Sequence, residues 1–468
     1  MSNSAAGEQP PARVKITKQI GLLPLIFLFY AYTTGGPFGY EEVFVRSGPG
    51  MALLFLVVVP FLWSVPMSLA AAELNSLLPV EGGFYRWARA AFGDFWGFLA
   101  GWWNWTGTFL LNSSYGVLFV DYVRPYVREY VTPLIRPYVG EEVLSATKLW
   151  EWLGAAVFLW LLAYVNIRGI QVAGWVATIL QLVILVPVVW LCVAALLNWQ
   201  HNPFQPFVPP ERPFFSVFGA GLALVMWNYA GYEQLSTVAG EVKHPERTYV
   251  RALAWMTPIA ILTYVLPPLT ALAALGNWSE WKTGMLVPAA RAIGGEALGA
   301  ALLAASIISI ASLSNSTILS TTRMPFAMAQ DGYLPRWLAS VHPRYGTPAR
   351  AIAVSTVIYC AVAVTSVVNL VTIYIWTRIA TSLVTLLAAW RLRRKLPHAP
   401  RSFRIPGEKL GLAYTVIVPM ILFGVGLYHS DAVALRYGPW LLGAGPVVYL
   451  VIRWVLRLAP VSAVQERK

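Results

Sequence analysis

Charge is scarce in this chain: 12% of its 468 residues are charged against 57% hydrophobic, and the mean hydropathy is +0.60. One soluble core cannot hide that much apolar surface, so the composition excludes a soluble globular protein and points to a polytopic membrane protein. Cysteine is scarcer still. Cys192 and Cys360 both fall inside apolar runs, which argues against a disulfide framework and leaves the redox compartment unread. Five histidines, His201, His244, His342, His398 and His429, lie in or beside connecting segments, and H-E-x-x-H, C-x-x-C and phosphate-cradling P-loop patterns are all missing. Catalysis, a cofactor and a structural metal are therefore not expected.

What is present is length and apolar repetition. Twelve runs are long enough to span a bilayer, roughly 20–46, 50–78, 94–122, 149–167, 170–198, 214–240, 252–275, 298–318, 349–366, 369–390, 411–429 and 438–457. Residues 1–12 before them read as a disordered cytoplasmic tail, 458–468 as a second one, and no small-residue cleavage site marks a removable signal. The net charge of +13 reads as topology: with the N-terminus inside, the inner segments hold 24 of the 34 Lys and Arg residues and only Arg378 lies within a span. Both termini are expected in the cytoplasm, with the lipid bilayer and no nucleic acid as partner.

Two of the runs are interrupted. Thr33 to Tyr40, TTGGPFGY, puts Gly35, Gly36 and Pro37 into the first, opposing an unbroken helix by roughly 5 kcal/mol. Asn228 to Glu233 interrupts the sixth, with Gly219 and Gly221 just before. Breaks in spans one and six separate two sets of five, and an odd number of spans per set makes the repeats inverted. The expected architecture is an all-α polytopic protein of 12 transmembrane helices, with repeats at 13–198 and 213–392 and two additional helices in 411–457. Each break would supply half-helix N-termini that attract anions and C-termini that attract cations, a match for a zwitterion that also tolerates a simple amine or carboxylate. Pro37 suits the first turn of a restarted helix.

Polar residues inside spans form stripes: Asn104, Thr108, Asn112 and Tyr115; Ser309, Ser312 and Asn315; Tyr374, Arg378, Ser382 and Thr385. Interhelical hydrogen bonding explains any one of them, while as a set facing two breaks they read as a cavity lining. Arg378 should line water, meet an anionic group or pair with a buried carboxylate. Glu233, one turn beyond the second break, is either a partner of a helix dipole or a carrier of substrate ammonium or proton. Glu73 is expected to pair with Arg86 or Arg89, and segment 123–148, with RPYV at 124 and 136, to form a short surface helix.

GGPFGYEE at 35–42, AELNSLLPVEGGFYRW at 72–87, NIRGI at 166–170, GYEQLSTVAGEVKHPERTYVRAL at 231–253 and AQDGYLP at 329–335 together resemble the amino acid-polyamine-organocation permeases. Over nearly the whole chain the similarity is to the branch holding plant polyamine uptake transporters and their bacterial relatives. The resemblance implies alternating access on two inverted repeats, with solute held at the first break (Thr33, Thr34, Gly35, Gly36, Pro37, Gly39) and the second (Tyr229, Ala230, Gly231, Tyr232, Glu233). Asn104, Asn112, Asn315 and Arg378 are the side chains expected to complete the site. The polyamine branch tends to carry carboxylates in spans three, eight and ten, where this chain has Leu111 or Asn112, Asn315 and Thr385, and Arg378 favours a carboxylate-bearing solute. The expectation is a secondary transporter of an amino acid or related small organic ion; polyamine uptake is the alternative, and a solute sensor that does not translocate is the reading from another class. Coupling by H+ through Glu233, by Na+ at Ser309 and Ser312, or exchange without an ion all stay open.

Overall fold

The computed structural model describes residues 21–78, 83–138, 146–168, 174–210, 212–231, 243–401, 403–428 and 432–456. The two expected tails, His429, Tyr232 and Glu233 lie outside the described residues. The described chain is helical, with no strand among its residues. In order, α1 is Leu22–Thr33, α2 Glu42–Ser47, α3 Pro49–Val59, α4 Val65–Leu77, α5 Gly83–Phe92 and α6 Asp94–Tyr126. Next come α7 Thr132–Ile135, α8 Thr147–Ile167, α9 Gly174–Leu196, α10 Phe214–Asn228 and α11 Pro245–Leu275. The remainder is α12 Leu286–Thr321, α13 Arg323–Gln330, α14 Ala349–Val362, α15 Val367–Lys395, α16 Glu408–Tyr428 and α17 Ala432–Leu456.

Among the described residues, seven helical segments are long and apolar enough to cross a membrane: Pro49–Leu77, Thr147–Ile167, Arg247–Leu275, Leu286–Ile318, Val367–Lys395, Glu408–Gly426 and Leu435–Trp454. Leu22–Thr33, Gln181–Leu196, Val217–Asn228 and Ala349–Val362 are shorter apolar helices. Burial ranks them from centre to rim. The apolar stretch of α15 is 78% buried, packed among α4, α5 and α6, whereas those of α16 and α17 are 17% buried and form the edge.

Prolines inside the bundle leave carbonyls that nothing in the same helix can reach, because proline has no N–H. Leu56 would normally bond residue 60, which is Pro60; its carbonyl takes the Tyr229 hydroxyl instead, at 2.7 Å. Tyr264 would bond Pro268, and its carbonyl takes the Tyr40 hydroxyl at 2.7 Å. Between α3 and α4 a π-turn over Pro60–Ser64 and the following Pro66 free the Phe61 carbonyl, which Tyr414 reaches from α16. Three long-range tyrosine contacts therefore follow from where proline sits. In hydrocarbon an unmet carbonyl costs several kcal/mol, so each contact also holds its two segments together.

Gly221 has a packing role rather than the helix-weakening one its sequence position implies. A Cβ there would sit 1.8 Å from Ser47 Oγ, and Ser47 donates to the Val217 carbonyl at 2.8 Å. The missing side chain is what lets α2 lie against α10.

Three expectations are corrected. Helix resumes at Glu42, not at Pro37, because Gly36 (φ +136°) and Gly39 (φ +90°) keep the backbone out of the helical region beyond the proline. Glu73 does not pair with Arg86 or Arg89. Its carboxylate lies 3.1 Å from Arg393 and 3.9 Å from Arg401 and accepts from the Ile405 amide at 2.9 Å, while Arg86 and Arg89 each meet Asp331 at 3.2 Å. In the segment after residue 122, α6 runs on through Tyr126 into a π-turn and α7, so the surface helix is a continuation of α6.

Candidate functional site: two helix ends around a central cavity

The first break is built by glycine geometry. α1 ends at Thr33, whose hydroxyl returns to the Phe29 carbonyl at 2.8 Å, and the amides of Thr34 and Gly35 both close on the Tyr30 carbonyl at 2.9 Å. Gly35 then turns to φ +61°, a value that costs a residue with a Cβ about 1–3 kcal/mol. The chain stays open from Thr34 to Glu41. The second break begins where α10 ends at Asn228, and Gly231 takes φ +110°.

Tyr264 of α11 connects the two. Its hydroxyl lies 3.0 Å from the Asn228 carbonyl and 3.3 Å from that of Thr34, and its ring meets Tyr40 and Tyr229 edge-on, each at 5.1 Å. Ser64 donates to the Tyr229 carbonyl at 2.8 Å. Carbonyls released by both breaks thus converge on hydroxyls.

Beside them lies a cavity of about 50 Å³. It has room for a few water molecules, so a solute of amino-acid size enters only if its walls move. The breaks contribute Tyr32, Thr33, Thr34, Phe38, Asn228, Ala230 and Gly231; α6 contributes Trp103, Asn104, Thr108, Leu111 and Tyr115; α15 contributes Tyr374, Thr377, Arg378 and Thr381. Leu313, Thr317 and Thr321 of α12, with Trp227 and Tyr264, complete the described lining. Arg378 is the one charged side chain among these residues. It is 3% exposed, with its guanidinium 5.7 Å from the centre of the Phe84 ring.

Of the side chains expected here, Thr33, Thr34, Asn104, Thr108, Tyr115, Ala230, Gly231, Tyr374 and Arg378 come together in the lining, while Ser382 and Thr385 stand outside the described lining. Gly35, Gly36, Pro37 and Gly39 shape the backbone without lining it. Tyr229 turns its hydroxyl away to Leu56, and Asn112 bonds Ser314 and the Thr108 carbonyl at 3.3 and 3.4 Å. The structure brings Asn315 to α8 and away from the cavity, where it accepts from Asn166 at 2.8 Å. Ser309 is buried against Gly35, its Oγ 3.0 Å from where a Cβ on that glycine would stand and without a hydrogen-bond partner among the described residues. Ser312 stands outside the described lining, partly exposed.

Sequence reasoning missed Thr317, Thr321, Thr377 and Thr381. The signal was available on α12: residues 309, 313, 317 and 321 recur every four positions and share one face, whereas the 309–312–315 stripe drifts off it. Glu41 was missed as well. It is fully buried at the end of the first break, accepting from the Gly39 amide at 3.0 Å and from the Tyr122 hydroxyl.

The profile of one family, described as amino acid permease, matches residues 20–449. The chain belongs to the amino acid permease family. The permease is similar to a probable polyamine transporter of Arabidopsis thaliana, 30% identical over 430 residues that cover 90% of this chain and 82% of the relative. A polyamine transporter of Oryza sativa subsp. japonica is 29% identical over 432 residues, covering 91% and 76%. An uncharacterized transporter of Mycobacterium tuberculosis is 27% identical over 354 residues, 75% of each chain. With its apolar helices, the permease is a multi-pass membrane protein and a transporter rather than an enzyme. These relatives place it beside transporters named for polyamines, as the sequence motifs implied.

Proposed function

We propose that the permease is a secondary transporter that carries an amino acid or a related small organic ion across the cytoplasmic membrane by alternating access. Its twelve spans form two inverted five-helix repeats and two peripheral helices, with both termini inside and the end bearing Tyr122 and Lys282 facing outward. The observation that carries this reading is the cavity between the two helix ends, whose described lining holds one guanidinium among hydroxyls and aromatic rings. A carboxylate would meet Arg378, and an ammonium would meet the helix-end carbonyls. Movement of H+ or Na+ with the solute, or exchange of one solute for another, supplies the driving force.

Polyamine uptake is the second reading, favoured by the names of the plant relatives and by the rings of Trp103, Tyr115, Trp227 and Tyr374, which suit an ammonium by cation–π attraction. Counterflow of labelled leucine, glutamate, lysine, putrescine and spermidine in proteoliposomes separates the two. Accumulation of an amino acid supports the first reading, accumulation of putrescine or spermidine alone replaces it with the second, and saturable binding without accumulation would make the protein a sensor.

A further inference from the structure

Glu41 lies behind residues that line two cavities: it accepts from Tyr122 and follows Phe38 by three positions. On one side, Phe38 lines the central cavity, and its ring meets that of Tyr122 edge-on at 5.9 Å. On the other side, Tyr122 and Gly284 line a cleft of about 760 Å³ together with Asp121, Arg124 and Lys282. The wall between cleft and cavity is therefore two rings and a carboxylate. Tyr122 is 2% exposed and Glu41 wholly buried, so the wall is closed here.

The groups facing Glu41 contain no ion-pair partner among the described residues. On its own segment, Tyr40 gives its hydroxyl to Tyr264, and Glu42 holds Arg46 at 3.4 Å and the Thr283 hydroxyl at 3.0 Å. Asp121 of α6 turns to Arg124 at 3.3 Å, and Lys282 is exposed in the cleft. Tyr229 and Tyr264 of the neighbouring helices spend their hydroxyls on backbone carbonyls. A buried carboxylate held by the Tyr122 hydroxyl and by the backbone of Gly39 and Gly284, with no cation among the described residues to fix its charge, can take up and give back a proton.

We propose that Glu41 is the carboxylate that takes up the coupling proton from the Tyr122 cleft, and that its hydrogen bond to Tyr122 latches the wall. This rests on the carrier reading above and names its coupling site. A hydrated proton in the cleft transfers to a Glu41 carboxylate oxygen, converting the carboxylate to the neutral acid and leaving water; Tyr122 keeps its own proton. Ionised, Glu41 holds the Tyr122 hydroxyl in a charge-assisted bond and the wall stays shut. Neutral, it loses that assistance and carries a donor of its own, so the wall loosens toward the acid side. Return of the proton to water on the far side resets the latch.

Infrared difference spectra of purified protein give a test that needs no transport. A carboxylic-acid band that titrates in the wild type and disappears in Glu41→Gln supports the assignment; a band that persists in the variant, or no titrating band in the wild type, overturns it. In proteoliposomes, the member of the solute panel that the wild type exchanges is then followed under an outside-acid gradient. Glu41→Gln is expected to keep counterflow and to lose both gradient-driven accumulation and solute-dependent proton uptake. Accumulation that still follows the gradient, or counterflow lost with it, sinks the proposal. Should Glu41→Gln not fold, Tyr122→Phe keeps the carboxylate and removes the latch: the pH profile of counterflow is expected to shift, and an unaltered profile overturns the latch. A wild type without counterflow of any panel member defeats the carrier reading instead, and the infrared band still decides whether Glu41 takes up a proton.

Discussion

The hydroxyl of Tyr264 lies 3.0 Å from the carbonyl oxygen of Asn228, the last residue of α10. The same hydroxyl is 3.3 Å from the Thr34 carbonyl, just past the end of α1. One proton serves one acceptor at a time, so Tyr264 ties the two helix ends together through a shared donor. Tyr264→Phe leaves both carbonyls without it. A destabilisation of about 1–3 kcal/mol is expected, seen as a lower melting temperature in detergent, together with slower exchange. An unaltered melting temperature would mean water replaces the hydroxyl.

Gly35 is required by its backbone and by its neighbour. At φ +61°, alanine brings roughly 1–3 kcal/mol of strain, and its Cβ would also stand 2.6 Å from Leu313 Cδ1. Gly35→Ala should abolish counterflow even when Leu313→Ala opens the space. Recovery in the double variant would show that contact, not conformation, is what the glycine provides.

Arg378→Met tests which charge the cavity recognises. Carboxylate-bearing solutes should bind roughly 10- to 100-fold more weakly while putrescine is spared, measured by competition against counterflow. Equal loss for both classes would assign the guanidinium a structural role against Phe84.

Glu73 anchors the connection between α15 and α16. With 3% of its side chain exposed and the buried Arg401 and half-buried Arg393 as partners, Glu73→Ala leaves two guanidinium groups without their carboxylate and should destabilise by about 1–3 kcal/mol. Glu73→Gln keeps the shape and an acceptor for the Ile405 amide and should cost less. If both variants melt with the wild type, the network is screened by water.

Ser309→Ala separates proton from sodium coupling. With a proton at Glu41, removing this buried hydroxyl, which has no hydrogen-bond partner among the described residues, should leave stability equal or raise it, since its desolvation costs about 1–3 kcal/mol. A melting temperature that rises with sodium in the wild type and no longer does so in Ser309→Ala would place the ion beside Gly35.

The breaks were legible in the sequence to within a residue at Thr33 and Asn228. Glycine and proline decide local φ whatever surrounds them, so their effect can be read along the chain. Membrane character was legible for a similar reason, because hydropathy adds up segment by segment. Long-range polar partners were not. The Asn315 amide went to Asn166, Glu73 went to Arg393 across 320 positions, and the cavity took the Thr317 face of α12 instead of the Ser312 face. Each depends on how one helix is rotated and crossed against another. Sequence by itself therefore determined where the backbone must open and that the chain lives in a membrane. Only the tertiary structure decided which side chains stand at the opening, and that Glu41 lies behind it with Tyr122, because burial and hydrogen-bond choice are settled between helices and not within them.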